Sequence, residues 1–140
     1  MTPEIFILPL FAHVLLVYVV MGLMGRARTQ AVRSGKVKMA DVVIDNFRWP
    51  DDARKIGNNY QNQFELPVLF YAVMLLDLQF GRADVLAFVL ACLFVVLRVG
   101  HMRVHTGANV VLDRFRLFLA SGMVLGAMWG WLAIKLYEIA

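Results

Sequence analysis

The sequence has little charge and almost no cysteine. Of its 140 residues 17% are charged, 61% are hydrophobic and one is cysteine. Such a composition excludes a disordered segment and is unusual for a soluble domain, because too few charged side chains remain to cover its surface. The lone Cys92 excludes a disulfide framework and a thiolate metal site, so we interpret it as a small buried hydrophobe. A membrane protein is therefore indicated.

Four apolar stretches predict membrane spans. With their polar extensions they cover about residues 5–25, 58–80, 83–105 and 113–138 of a single domain, 1–140. At about 1.5 Å per residue, each can cross or nearly cross a hydrocarbon core of about 30 Å as a helix. No stretch shows the alternation of a barrel strand. The predicted fold class is an all-α membrane protein built as a four-transmembrane-helix bundle.

The first stretch differs from a secretory signal. It lacks a basic leading segment, carries Glu4, and is followed by Arg26 and Arg28 instead of a cleavage site. It is also longer than the apolar core of a signal peptide, which spans about 7 to 15 residues. We therefore expect a retained span.

The distribution of basic residues predicts the orientation. The loop between the first two spans carries Arg26, Arg28, Arg33, Lys36, Lys38, Arg48, Arg54 and Lys55. The third loop carries Arg103 and Arg114, whereas the second offers Arg82 alone. Because short basic loops stay in the cytoplasm, we expect loops one and three inside and both termini outside. The net charge of +4 favours contact with anionic lipids. No nucleic-acid partner is expected, since no binding motif accompanies the charges.

Trp49-Pro50-Asp51-Asp52 predicts the start of the second helix, because proline and carboxylates favour a helix N-terminus. This helix is expected to run from about residue 51 to about 79, with a kink at Pro67.

Two polar stripes predict a pocket. The second helix carries Asn58, Asn62 and Glu65 at i, i+4 and i+7, and the third carries Arg98, His101 and His105. Both stripes fall in the same leaflet, because the two helices run in opposite directions. Ionisable groups at membrane depth usually pair or mark a functional site. We predict a pocket, open to the cytoplasm, for a charged hydrophilic ligand. The alternative is a buried Glu65 and Arg98 pair that only holds the helices together.

Other polar residues suggest simpler roles. His13 in the first span is interpreted as a hydrogen-bonded packing residue, and Asp77 and Asp84 as markers of an interfacial loop. His101 and His105 have a spacing that a metal ion can use, but no third ligand lies nearby in sequence, so no metal site is expected.

The residues resemble a family, the membrane-associated proteins in eicosanoid and glutathione metabolism (MAPEG), of which this chain would be a divergent, bacterial member. The most specific match is the second-helix pattern of Asn62, Gln63, Phe64, Glu65 and Pro67. The resemblance implies a homotrimer in the bacterial inner membrane, with glutathione as co-substrate bound between subunits near the cytoplasmic face.

The resemblance also implies roles for particular residues. Arg114 would stabilise the glutathione thiolate, and its neighbour Arg116 could compete for that role. Arg26, Arg98 and His105 would hold ligand carboxylates, with Arg28 close to Arg26 and His101 one turn after Arg98. Asn62 and Glu65 would accept from the amino group and amides.

The implied activity is that of a microsomal-type glutathione transferase or peroxidase acting on lipophilic electrophiles. Positions that depart from the family pattern are Asn58, Gln61, His105, Phe115 and Phe118. The alternative is a non-catalytic trimeric membrane scaffold or binding protein with a vestigial pocket, and it is favoured by Asn58, Gln61, Phe115 and Phe118. A transporter is disfavoured, since no hydrophilic path continues through the outer halves of the spans.

Overall fold

The computed structural model describes residues 1–137, and no strand occurs in that range. The helices are α1 (Pro3–Phe6), α2 (Leu8–Arg33), α3 (Asp51–Asn62), α4 (Leu66–Gln79), α5 (Val85–Thr106) and α6 (Val111–Tyr137). Two short 3-10 turns, Met39–Val42 and Asn46–Arg48, lie between α2 and α3. The predicted all-α membrane fold is confirmed.

Three helical segments of the described chain are long and apolar enough to cross a membrane: Pro3–Arg33, Val85–Thr106 and Val111–Tyr137. The predicted first span, to about residue 25, continues as helix to Arg33. Helix α4 has 14 residues, about 21 Å, which is shorter than a hydrocarbon core of about 30 Å, so the second predicted span is not among these three. Residue 138, the last of the predicted fourth span, lies outside the described residues.

The second predicted helix is interrupted rather than kinked. Helix α3 ends at Asn62 and α4 begins at Leu66, with Glu65 between them at φ −92° and ψ −102°. Pro67 explains the position of this break, because its ring clashes with the carbonyl of the residue four positions earlier, here Gln63, and it has no N–H to donate. The break separates a polar helix from an apolar one.

The main core lies between α4, α5 and α6, with α1 against it. Phe70 and Phe94 stack with ring centroids 4.6 Å apart, and both are fully buried. Phe6 from α1 and Met128 from α6 complete the same cluster. His13 packs at its edge and shares a 2.7 Å hydrogen bond between Nδ1 and the Tyr71 hydroxyl, as a packing histidine should.

At the opposite end of the bundle from α3, Lys135 joins three segments. Its Nζ donates to Asp77 Oδ1 at 2.6 Å, to Asp84 Oδ2 at 2.8 Å and to the Arg82 carbonyl at 2.7 Å. Trp131 Nε1 also donates to Asp84 Oδ2, at 2.9 Å. The interpretation of Asp77 as a loop marker is therefore wrong: it is buried in α4, because a lysine from α6 reaches it.

A small second core attaches α3 to the end of α2. It contains Ala31, Val37, Val42, Trp49 and Ala53, all buried. The Arg28 guanidinium lies 5.0 Å above the centre of the Trp49 ring, a cation–π contact. This cluster fixes where the polar helix α3 stands relative to α5.

Candidate functional site

A pocket of about 500 Å³ opens where α3, α5 and α6 meet. Its lining combines polar residues from α3 and α5 with a mixed face of α6: Asn58, Gln61, Asn62, Glu65, His101, His105, Val111, Arg114, Phe115 and Phe118. The two predicted stripes, apart from Arg98, thus line one cavity, and the start of α6 forms its third side.

Arg98 lies beneath the pocket instead of in its wall. It is fully buried, and its Nη2 donates to the Asn62 carbonyl at 2.7 Å and to Gln63 Oε1 at 3.3 Å. The Asn62 carbonyl has no helical partner because α3 ends there.

The alternative of a buried Glu65 and Arg98 pair is not realised. Glu65 is exposed, and within residues 1–137 no ion pair joins it to Arg98. In the orientation that satisfies its hydrogen bonding, the Asn62 amide nitrogen donates to both Glu65 oxygens, at 3.0 and 3.2 Å. The carboxylate is therefore held at the pocket wall, where a ligand ammonium or N–H can reach it.

A hydrogen bond to Asn109 holds the Arg114 side chain in position. Its Nη1 donates to Asn109 Oδ1 at 2.9 Å, and Asn109 adopts the left-handed conformation with φ 52°. Asparagine is among the non-glycine residues that most often accept this conformation. Arg114 lines the pocket together with Phe115 and Phe118, so the pocket combines a cationic side chain with an apolar surface.

Two predicted arginines lie elsewhere in the single chain. Arg26 lines a separate groove along α2 together with Gly22, Gly25, Thr29, Gln30, Arg33 and Ser34. Arg116 is exposed and pairs with Asp113 at 3.6 Å, and it does not line the pocket. Of the two neighbouring arginines on α6, Arg114 is thus the one that lines the pocket.

Sequence reasoning missed the buried partners of the histidines. Asn59 Nδ2 lies 3.2 Å from His105 Nδ1, and Gln63 Nε2 lies 3.2 Å from Asn59 Oδ1. The predicted stripe of Asn58, Asn62 and Glu65 does not include Asn59 and Gln63, which lie on a neighbouring face. The available signal was a matched spacing: Asn59 and Gln63 are four apart, as are His101 and His105 on the facing helix.

The chemistry of the pocket suits a ligand with both charges and an apolar co-reactant. Arg114 and the imidazoles of His101 and His105 can donate to an anion, and Glu65 can accept from a cation. Val111, Phe115 and Phe118 offer an apolar surface, and the Phe115 side chain is 58% exposed. A polar ligand can thus be held beside a hydrophobic one.

Comparison with known proteins supplies the family. The sequence model of the MAPEG family matches residues 6–134 of the chain. No curated protein and no solved structure matched it. The match covers the helices that line and support the pocket. Together with the apolar helices, it supports an integral membrane protein. The chain belongs to the MAPEG family.

Proposed function

We propose that the protein is an integral membrane glutathione-dependent transferase or peroxidase that acts on lipophilic electrophiles. Membership of a glutathione-associated family supports this proposal. The observation that carries it is the position of Arg114, whose guanidinium lies in the same pocket as Glu65 and beside the apolar wall of Phe115 and Phe118.

Arg114 would act on the thiol. A free thiol has a pKa of about 8.5 and is mostly protonated at neutral pH, whereas a nearby cation favours the thiolate, the reactive nucleophile. The thiolate would attack an electrophilic carbon, forming the C–S bond while the leaving group departs with the bonding electrons. With a lipid hydroperoxide, the thiolate would attack the terminal oxygen, forming an S–O bond as the O–O bond breaks, and the departing alkoxide would take up a proton to give the alcohol. A second glutathione thiol would then attack the sulfur of the resulting sulfenic acid, giving the disulfide and releasing water.

The glutathione site is proposed to be completed in a homotrimer surrounded by lipid. Arg26 lines a groove on α2 that shares no residue with the pocket. If glutathione binds between subunits, as the family resemblance implies, α2 of a neighbouring subunit would bring this arginine to a ligand carboxylate. The exposed Phe115 would face the route by which an apolar substrate arrives from the bilayer.

The first test measures glutathione binding by calorimetry and thiolate absorbance in the ultraviolet, using the purified detergent-solubilised protein. Arg114→Ala should lose the thiolate signal while the oligomer stays intact. Arg116→Ala, which removes the same charge two residues away outside the pocket, should keep it. Equal thiolate signals in the two variants would contradict the role given to Arg114.

A non-catalytic trimeric scaffold is the second candidate. The observation that favours it is that no serine, threonine or tyrosine hydroxyl is found among the described residues lining the pocket, so thiolate stabilisation would depend on Arg114 and the histidines. Absence of glutathione binding at millimolar concentration, in an intact oligomer, would favour this scaffold.

A further inference from the structure

Two buried side chains, Gln63 and Asn59, connect Arg98 to His105 in the pocket wall through the interior. Arg98, Gln63 and Asn59 are each fully buried, and they contact one another in that order. Arg98 Nη2 donates to Gln63 Oε1 at 3.3 Å, Gln63 Nε2 donates to Asn59 Oδ1 at 3.2 Å, and Asn59 Nδ2 lies 3.2 Å from His105 Nδ1. We call this series the amide relay.

The direction of the amide relay is fixed at two points. A guanidinium can only donate, so the oxygen of Gln63 must face Arg98. The nitrogen of Gln63 also lies 3.3 Å from the backbone carbonyl of Asn59, a group that can only accept. Both neighbours therefore require the same orientation of the Gln63 amide.

That orientation determines the proton on His105. Because Asn59 Oδ1 accepts from Gln63, the Asn59 nitrogen faces the ring and donates to Nδ1. A ring nitrogen that accepts carries a lone pair, so the proton of neutral His105 lies on Nε2. A doubly protonated ring would place two donors against each other and is disfavoured by the same contact.

The other edge of the His105 ring faces the pocket. His105 lines the pocket, and Nε2 has no hydrogen-bond partner among residues 1–137. His105 Nε2 is not fully buried, unlike His101 Nδ1, which is buried without a hydrogen-bond partner. The Nε2–H group is therefore accessible to a ligand.

We propose that Arg98, Gln63 and Asn59 are positioning residues that hold His105 as the Nε2–H tautomer, and so make it a hydrogen-bond donor to an anionic group in the pocket. The tautomer follows from the amide relay alone, whereas the identity of the anion, a thiolate or carboxylate of glutathione, rests on the proposed function.

The test is nitrogen NMR of the ligand-free protein labelled with ¹⁵N-histidine. The chain contains three histidines, and His105→Gln assigns the signal of interest. We expect a pyridine-type shift for Nδ1 of His105 and a pyrrole-type shift for Nε2. A pyrrole-type Nδ1 in the wild-type protein would overturn the proposal, and this measurement does not depend on whether any variant folds.

Gln63→Glu tests the amide relay from a distance. A carboxylate cannot donate to Asn59 Oδ1, so the Asn59 amide should turn over and present its oxygen to His105, which would move the ring proton to Nδ1. Residue 63 makes no hydrogen bond to His105 itself, so a merely structural role would not change the tautomer. Gln79→Glu, the same change at the exposed end of α4 outside the amide relay and the pocket, should leave it unchanged. An unchanged tautomer in a folded Gln63→Glu protein would overturn the proposal.

Adding glutathione tests the ligand role of His105 separately from its tautomer. Binding should shift the His105 Nε2 signal, and Gln63→Glu should weaken binding by about tenfold to a hundredfold relative to Gln79→Glu, since one hydrogen bond to a charged group is lost. Binding measured by calorimetry without a change at Nε2 would remove the ligand role from His105. No binding at all would overturn the proposed function and the ligand role, while the ligand-free spectrum would still decide the tautomer.

Discussion

At the scale of single residues, Arg98 shows how a buried charge is held without a carboxylate. Its acceptors are neutral, the Asn62 carbonyl and Gln63 Oε1, and its Nε and Nη1 atoms are buried without a protein partner among the described residues. Buried polar atoms of this kind usually bind ordered water. We therefore expect water beside Arg98, below the pocket.

Gly107 is a position where any side chain should be harmful. A Cβ there would lie 2.8 Å from the backbone oxygen of Arg103, and a backbone atom cannot move aside cheaply. Gly107→Ala should lower the free energy of unfolding by about 1 to 3 kcal/mol, measured by denaturant titration in detergent. Gly126→Ala is the control, because its Cβ would meet nothing within 4 Å. Equal effects of the two changes would show that this contact is relieved without cost.

Asp84 should make the free energy of unfolding depend on pH. Burial raises its pKa, but hydrogen bonds from Lys135, the Ala87 N–H and Trp131 outweigh burial and hold the pKa below its ordinary value. A lowered folded pKa means that the stabilisation is fully present above the unfolded pKa of about 3.9 and is lost as the pH falls through the folded value. Thermal unfolding from pH 7 down to pH 3 should therefore show a steeper loss in the wild type than in Asp84→Asn. Parallel curves would contradict this assignment.

At the scale of helices, three of the four predicted spans agree with long apolar helices of the structure, because apolar length is a direct requirement of the bilayer. The second predicted span is divided into the polar α3 and the 14-residue α4. The position of the helix break followed from Pro67. The length of the break did not follow from the sequence. The interruption at 63–65 leaves the Asn62 carbonyl free to accept from Arg98, and no sequence periodicity predicts such a tertiary contact. Likewise, Lys135, the partner of Asp77, lies 58 residues away in sequence, and sequence patterns do not predict contacts across such a separation.

The candidate site could be predicted in part. The stripes placed four of the eight predicted binding or catalytic residues in one pocket, Asn62, Glu65, His101 and His105, and the family resemblance added a fifth, Arg114. They could not show that Arg98 lies beneath it or that Asn59 and Gln63 orient His105, because donor and acceptor directions depend on side-chain geometry.

Helix α6 should depend on Lys135 for its attachment. The side chains of Lys135 and Asp77 are 11% and 2% exposed, so Lys135→Met would leave a buried carboxylate unpaired. We expect a loss of about 3 to 5 kcal/mol in the free energy of unfolding. Arg116→Met removes a cation from an exposed pair on the same helix and should cost less than about 1 kcal/mol. Similar losses in unfolding titrations of the two variants would argue against the buried attachment.

At the scale of the whole molecule, the charge distribution predicts an orientation that labelling can test. In a Cys92→Ala background, Ser34→Cys marks the loop after α2 and Gln79→Cys marks the end of α4. Because basic loops stay in the cytoplasm, an impermeant maleimide should label residue 34 only in inside-out vesicles and residue 79 only in right-side-out vesicles. The reverse pattern would place the pocket on the outer side.

The three bonds of Lys135 also have a mechanical consequence. If the protein is pulled out of a membrane from its C-terminus, the load reaches Lys135 before the rest of α6 and passes at once to α4 and to the connection before α5. The last helix should therefore not peel away alone. A force–extension trace should show α4, α5 and α6 leaving the bilayer in one step, and Lys135→Met should divide that step into two.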